Sequence, residues 1–363
     1  MEFIVNYKNF DSILDENNEI TVKSFNKIYN VIYSNKNLDT LVKENFEKND
    51  FIIIDRNVYN LNPETFIEII NSIYIFDAIE DNKNIESVLK IIDILYEKKF
   101  TKSNKLIIIG GGITQDVSGF VSAIYKRGLN WIFIPTTLLS MTDSCIGGKV
   151  GINRNSKNVL ALFVSPNKVF ISNYFLNSLK EDDIVSGLGE SLKLSLTGGV
   201  TSYEYFKKNL EDKNYINIIK MSSSVKKAIV EYDEFEKNER RVLNYGHTFG
   251  HAIETTSNYF IPHGIAVLIG MYMINEVFYE NKYNEINNLI LNLINKNFFD
   301  IEINYKIFIN HVLSDKKNEG DNVCFILLNE LGESIFIFKK INEIEDKIKN
   351  ILNKLFGNKF IDT

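Results

Sequence analysis

Histidine is scarce in this chain, with four in 363 residues. Cysteine is scarcer still. Cys145 and Cys324 alone cannot build a disulfide framework or a zinc ribbon, and they suit a reducing compartment. There is no excess of basic charge: 41 Lys and Arg against 47 Asp and Glu leave a formal net charge of −6. That excludes the electrostatic footprint of a nucleic-acid binder, and the lysines are interleaved with acids as on a solvated surface. No uninterrupted apolar run approaches the ~18 residues of a membrane helix. The opening "MEFIVNYKNF" lacks a basic start followed by an apolar core, so no signal peptide is indicated. The expectation is a cytoplasmic protein without nucleic-acid or membrane partners. At this length one large domain or two ordinary ones are possible, with ample core.

The first half alternates short β-branched apolar runs with helical patterns. Runs at 51–55, 73–76, 105–112, 131–137 and 168–172 read as buried strands of a mostly parallel sheet. Between them Ile85, Val88, Leu89, Ile92 and Leu95 recur at helical spacing and mark a crossover helix, the signature of an α/β domain. After about residue 175 helical patterns dominate, at 182–196, 201–211, 214–237, 247–258, 264–281 and 285–297. Strand-like runs return briefly at 323–328 and 334–338. The expected organisation is an α/β Rossmann-like domain over 1–175 and a mainly α-helical domain over 176–363, packed around a shared cleft.

Two stretches of the first half invite chemistry. In "KLIIIGGGITQDVSGF" a strand runs through Gly110, Gly111 and Gly112 into a helix-like segment. Backbone N–H groups there can approach a pyrophosphate at a helix N-terminus; equally, the glycines can serve a tight βα turn. Asp116, Thr136 and Thr137 lie where carboxylate and hydroxyl groups meet ligands at strand C-terminal ends. In "MTDSCIGGKVGINRNSKN", Asp143, Lys149, Asn153, Lys157 and Asn158 stand among glycines that cannot form a regular helix. This reads either as a solvated loop or as a backbone nest at Gly147 and Gly148 with Lys149 to hold an anion.

Three of the four histidines fall in "RRVLNYGHTFGHAIETTSNYFIPHG". His247 and His251 are four apart and share a helix face, but no Glu follows the first, so this is not the zinc-protease pattern. In a continuous helix, Glu236, Arg240, Asn244, His247 and His251 would form one stripe, unless Gly246 interrupts it. His263 can return to the same place across a loop. A zinc-like ion takes three His or carboxylate ligands and keeps open positions for substrate, and "SGLGESLKLSL" offers Glu190 with Lys193 one turn on.

Taken together, "GGGITQD", "RG", "PTTLL", "DSCIGGKVGIN", "KN", "SGLGESLK", "NYGHTFGHAIE" and "HG" make the chain similar to the 3-dehydroquinate synthase and sugar phosphate cyclase family, from about Asp55 to the 314–320 stretch. The resemblance implies that Glu190, His247 and His263 hold a divalent metal, zinc or cobalt. It implies NAD at Asp55, Glu80, Lys83, Gly111, Gly112, Asp116, Thr136 and Thr137. A seven-carbon sugar acid phosphate would lie in the cleft between domains, against Asp143, Lys149, Asn158, Lys193, Lys226, Arg240, Asn244, His251 and Lys316 or Lys317. Within that set His251, Lys193, Asp143 and Asn244, joined by Glu236 of the stripe, are the candidates for catalysis. Arg127 would reach a neighbouring subunit, which implies a homodimer.

The implied activity is a lyase reaction of the shikimate pathway to aromatic amino acids. 3-Deoxy-arabino-heptulosonate 7-phosphate is oxidised by NAD, loses phosphate by β-elimination, is reduced again, opens and closes by an aldol step to 3-dehydroquinate. Four departures from the family pattern stand out: Ile265 in place of an acid after "HG", Gln115 in the glycine turn, a 153–157 loop one residue short, and Ser172–Asn173 in place of Asp-Thr. They point to a divergent member and keep a sedoheptulose 7-phosphate cyclase as the alternative. A glucose 6-phosphate cyclase, a metal-dependent polyol dehydrogenase and a non-catalytic relative stand further off.

Overall fold

The computed structural model describes residues 2–6, 8–11, 18–25, 27–314, 318 and 320–362. The chain divides into two compact units. One comprises Ser12–Leu179 and Lys213–Phe235; the other comprises Glu2–Asp11, Lys180–Asp212 and Glu236–Thr363. A single boundary at 175/176 therefore does not describe the division. The change of character after residue 175 is real, but the Tyr215–Tyr232 helix returns to the first unit and the Glu2–Val5/Lys8–Asp11 hairpin belongs to the second.

The first unit is built on a seven-stranded sheet. Its strands run in the order Glu19–Lys23, Ile28–Ser34, Lys168–Ser172, Asn130–Pro135, Lys105–Gly110, Phe51–Asp55, Ile73–Phe76. All neighbours are parallel except the first pair. The central strands are buried on both faces, which is why Phe51–Ile54 and Leu106–Ile109 are unbroken apolar runs rather than alternating ones. Helix Gly112–Ile124 packs on the sheet, and helix Ile85–Glu97 packs beside that helix. Parallel pairing sets Ile54 beside Ile109 and Gly110 beside Pro135. Asp55, the Gly110–Gly112 turn and Thr136 thus stand together at the C-terminal ends of three adjacent strands, where open α/β sheets bind ligands.

In the second unit the Glu181–Thr197, His247–Thr256 and His263–Phe278 helices pack on one another. The last of these, "HGIAVLIGMYMINEVF", is apolar almost all round and correspondingly buried along its length. Glycines let its neighbours come close. A Cβ on Gly264 would lie 1.8 Å from the Ser186 carbonyl oxygen, and one on Gly189 would lie 2.2 Å from the Gly264 carbonyl oxygen. At the other crossing a Cβ on Gly270 would lie 2.0 Å from the Gly246 carbonyl oxygen. This unit also holds an antiparallel hairpin, Val323–Glu330 with Glu333–Lys339, the N-terminal hairpin, and a short parallel pair, Ile303–Asn304 with Phe360–Ile361. Among the described residues no helix is long and apolar enough to cross a membrane.

Candidate active site

The second unit gathers the histidines around a buried carboxylate. Gly264 N–H donates to Ser186 Oγ at 3.1 Å and ties the start of the His263–Phe278 helix against the Glu181–Thr197 helix. Glu190 lies one turn beyond Ser186 on that helix. His263 Nε2 consequently stands 3.1 Å from Glu190 Oε1, and His247 Nε2 stands 3.5 Å from the same atom. The ligand atoms of His247, His251 and His263 all fall within 4.8 Å of one another, with ring centroids 5.1 to 5.6 Å apart. Both Glu190 oxygens are buried, and neither takes part in a well-directed hydrogen bond. A buried carboxylate facing two imidazole nitrogens at Oε1, with Lys193 beside Oε2, is a donor set that fits a zinc-like cation.

The electrostatics agree with that fit. Burial pushes the Glu190 carboxyl up, but Lys193, ion-paired with Oε2, and His263 outweigh it and hold the group well below the usual carboxylate range. Burial pushes His263 down, and Glu254 and Glu190 more than reverse this, raising it to about 9. In the metal-free protein His263 therefore carries a proton at neutral pH, and an incoming cation must displace it.

The stripe expected from Glu236 to His251 does not exist as one helix. The Tyr215–Tyr232 helix ends at Asp233, Glu236 takes φ +57°, Glu239–Asn244 is a 3-10 turn, and Gly246 at φ +79° starts the His247–Thr256 helix afresh. Only His247 and His251 share a helical face. Asn244 Nδ2 nonetheless donates to Glu236 Oε1 at 2.6 Å, and Arg240 is buried at 2% exposure. Ile265, which stands where an acid was expected to support a metal histidine, is fully buried. Glu254, three residues after His251 and passed over as a candidate, places Oε2 3.2 Å from His263 Nδ1 instead. Its spacing from His247 and His251 on one helix face was the available signal.

In the first unit buried Lys83 and partly buried Asp116 form an ion pair of 2.6 Å, and Asp116 Oδ1 also accepts from Gly151 N. Asn153 braces the Lys83 side of this pair: its side chain donates to Glu80 Oε1 at 2.7 Å and its N–H donates to the Lys83 carbonyl. Burial raises the Asp116 carboxyl even though Lys83 opposes it. Asp55 caps the Arg56–Leu61 helix through Asn57 N. The Gly112–Ile124 helix begins at Gly111 with neither a side-chain cap nor an acid in its first turn. Its leading N–H groups thus suit an anion, and a Cβ on Gly111 would press on Thr137 at 3.0 Å. Thr136 N–H donates to the Gly110 carbonyl, and Thr137 Oγ1 meets Ser140 Oγ at 2.9 Å. Gln115 does not crowd this turn: it is buried, and its amide is exchanged with Ser144.

The "SCIGGKVGINRNSKN" segment is neither an open loop nor a simple nest. Lys149–Arg154 and Ser156–Phe163 form an antiparallel hairpin turned at Asn155 with φ +58°. Gly147 and Gly148 do adopt positive φ, but the Gly147 N–H is taken by the Tyr29 hydroxyl at 3.1 Å. Lys149 and Asn158 are exposed on the hairpin. Asp143 Oδ2 pairs at 2.8 Å with the buried Lys226 of the Tyr215–Tyr232 helix. Arg127 is exposed, in a turn where Lys126, Arg127 and Gly128 all have positive φ. Lys316 and Lys317 lie outside the described residues.

Comparison with known proteins identifies the family. Residues 73–186 match the family model described as 3-dehydroquinate synthase N-terminal, and residues 187–318 match 3-dehydroquinate synthase C-terminal. A 3-dehydroquinate synthase of Pelagibacter ubique is 38% identical over 88% of this chain and 94% of its own length. Among solved structures, 2-deoxy-scyllo-inosose synthase with carbaglucose-6-phosphate, NAD+ and Co2+ superposes with a TM-score of 0.75 at 21% identity, over 91% of this chain and 99% of that one. The 2-epi-5-epi-valiolone synthase of Streptomyces hygroscopicus, with NAD+ and Zn2+, gives 0.75 at 19% identity, over 92% and 99%. At such identities these two likenesses speak for the fold, whereas the family models and the curated relative speak for descent. The chain belongs to the 3-dehydroquinate synthase family.

Proposed function

We propose that this protein is a 3-dehydroquinate synthase, converting 3-deoxy-arabino-heptulosonate 7-phosphate to 3-dehydroquinate and phosphate. The observation that carries the reading is the approach of His247 and His263 Nε2 to one buried oxygen of Glu190. These three residues would hold the divalent metal, zinc or cobalt. Asp55, Glu80, Lys83, Gly111, Gly112, Asp116, Thr136 and Thr137 would hold NAD. When bound, the nucleotide supplies a reversible two-electron oxidation and the metal supplies Lewis acidity.

The chain's own groups do the rest. Arg240, Lys193 and Lys226 are buried cations and would bind the carboxylate and phosphate of an anionic substrate, with Lys149, Asn158 and Lys316 as further contacts. Asp143 holds Lys226 by its ion pair, as Glu236 holds the Asn244 amide, so both donors are oriented before substrate arrives. His251, beside the metal histidines, assists proton movement. The same reading makes the enzyme a cytoplasmic homodimer of the shikimate pathway, with Arg127 reaching the second subunit.

Buried Arg240 and Lys226 favour a carboxylate-bearing substrate over sedoheptulose 7-phosphate, which has none. Phosphate release should be measured from each sugar phosphate separately, with NAD and zinc present. Release from the heptulosonate alone supports the proposal, and release from sedoheptulose 7-phosphate alone sinks it in favour of a valiolone-type cyclase.

A further inference from the structure

We propose that Glu254 is the positioning residue that makes His263 a metal ligand, by accepting its Nδ1–H so that Nε2, on the Glu190 side, is the nitrogen that gives up its proton to a cation. This deepens the metal-site reading and rests on it. An imidazole offers two nitrogens, and the partner of one decides which of them keeps a lone pair for a cation. For His263 the two sides differ by residue: Nε2 is 3.1 Å from Glu190 Oε1 and Nδ1 is 3.2 Å from Glu254 Oε2. Glu254 is itself 5% exposed, so its carboxylate is held in place rather than swinging in solvent.

The other metal histidine is oriented by a different device. His247 Nδ1 faces the Tyr245 carbonyl at 3.2 Å, across the left-handed turn at Gly246. Tyr245 is anchored through its hydroxyl to Asn275 Oδ1, and Asn275 donates in turn to Asn287 at 2.8 Å. A main-chain carbonyl fixes His247 with no charge. Glu254, by contrast, reaches from the His247–Thr256 helix to the first residue of the next helix and brings a negative charge. Glu190 and Glu254 together supply two negative charges to a divalent cation, partly offset by Lys193 at Glu190 Oε2. Because Glu254 is three residues after His251, one helix face carries a proposed ligand, a proposed proton-handling group and the support of a second ligand.

The test compares wild type with Glu254→Ala and Glu254→Gln, using Zn2+ and Co2+ as probes in competition with a chromophoric chelator. Loss of such an outer partner weakens metal binding by roughly 10- to 100-fold. That loss is expected for Glu254→Ala, and a smaller one for Glu254→Gln, whose amide oxygen still accepts the Nδ1–H. With only four histidines in the chain, 15N spectra of the zinc form of the wild type can also read the tautomer directly, which needs no variant to fold. His263 protonated at Nδ1 and zinc-bound at Nε2 supports the proposal; the opposite tautomer overturns it. Glu254→Ala affinity within twofold of wild type overturns this inference alone, whereas wild-type protein that binds neither ion overturns the metal-site reading with it.

Discussion

Gly264→Ala tests the packing that brings the site together. The added Cβ would lie 1.8 Å from the Ser186 carbonyl oxygen and 2.6 Å from its carbon. Non-bonded heavy atoms are comfortable near ~3.5 Å, so the two helices must part by more than about 1 Å. Ser186 is one turn from Glu190, and Gly264 follows His263 directly. The 3.1 Å approach of His263 Nε2 to Glu190 Oε1 would open by a similar amount, whereas metal–ligand distances tolerate about ±0.2 Å. Intrinsic helix propensity runs the other way: Ala in place of Gly gains up to ~1 kcal/mol in a helix interior. Overpacking costs about 1–3 kcal/mol, and backbone against backbone belongs at the upper end. The expected outcome is a net loss of about 1–2 kcal/mol in urea unfolding with chelator present, taken as the difference of those two terms. Zinc affinity should fall at least 10-fold. A variant as stable as wild type or more so, with zinc affinity unchanged, would refute the reasoning, because helix propensity would then have prevailed over a clash that is not there.

Other expectations follow from single groups. Burial pushes the Cys145 thiol up to about 12, with Lys226 opposing and Asp143 adding to the rise. At pH 8 its thiolate fraction is then ~10⁻⁴ against ~0.2 for an ordinary cysteine, so disulfide reagents should label it at least a thousandfold more slowly in native than in urea-unfolded protein; equal rates would contradict the burial. Lys83→Met leaves Asp116 buried without its 2.6 Å partner and should cost about 3 kcal/mol of stability, the lower end for breaking a buried pair, since Asp116 keeps some exposure. Adding Asp116→Asn should recover part of that loss, and a single-variant cost below 1 kcal/mol would count against the pair. His251→Ala should lower kcat by about 10²–10⁴ while zinc affinity stays within about threefold, the range expected if His251 is no ligand; loss of the metal would instead make His251 one.

Much of this architecture could be read from the sequence because its period is local. The buried parallel strands announce themselves as Ile-rich runs, as in 51–55 and 105–110, and each helix from Glu181–Thr197 to Asn284–Leu293 begins within a residue or so of its periodic pattern, whereas Tyr305–Leu313 and Glu345–Phe356 were not anticipated. What was missed depended on partners far along the chain. Ile28–Ser34, with Tyr29, Val31 and Tyr33 buried in alternation, carries a strand signal that the intervening Asn30 obscures. In the 149–163 hairpin Val150 and Ile152 are buried but the Ser156–Phe163 strand is largely exposed, so only one strand shows an apolar run, and the turn and register shift fall at Asn155 and Asn158 with positive φ. The unit boundary escaped because the Tyr215–Tyr232 helix belongs to the sheet-bearing unit although its own pattern is that of any amphipathic helix. At the candidate site, residue types were legible but roles carried by contact were not. The helical spacing of Glu254 marks it as a neighbour of His247 and His251, but only the fold shows that it meets His263 nine residues on, or that Gln115 turns away to Ser144.

The claim that matters most is that this enzyme uses NAD without consuming it, at a metal held by Glu190, His247 and His263. The direct measurement follows phosphate, 3-dehydroquinate and absorbance of reduced nicotinamide together, from 3-deoxy-arabino-heptulosonate 7-phosphate in large excess over NAD. The account predicts one phosphate and one dehydroquinate per sugar over many turnovers of each NAD, no accumulating NADH, and silence once a chelator removes the metal. NADH rising in step with substrate loss, or turnover indifferent to the chelator, would contradict it.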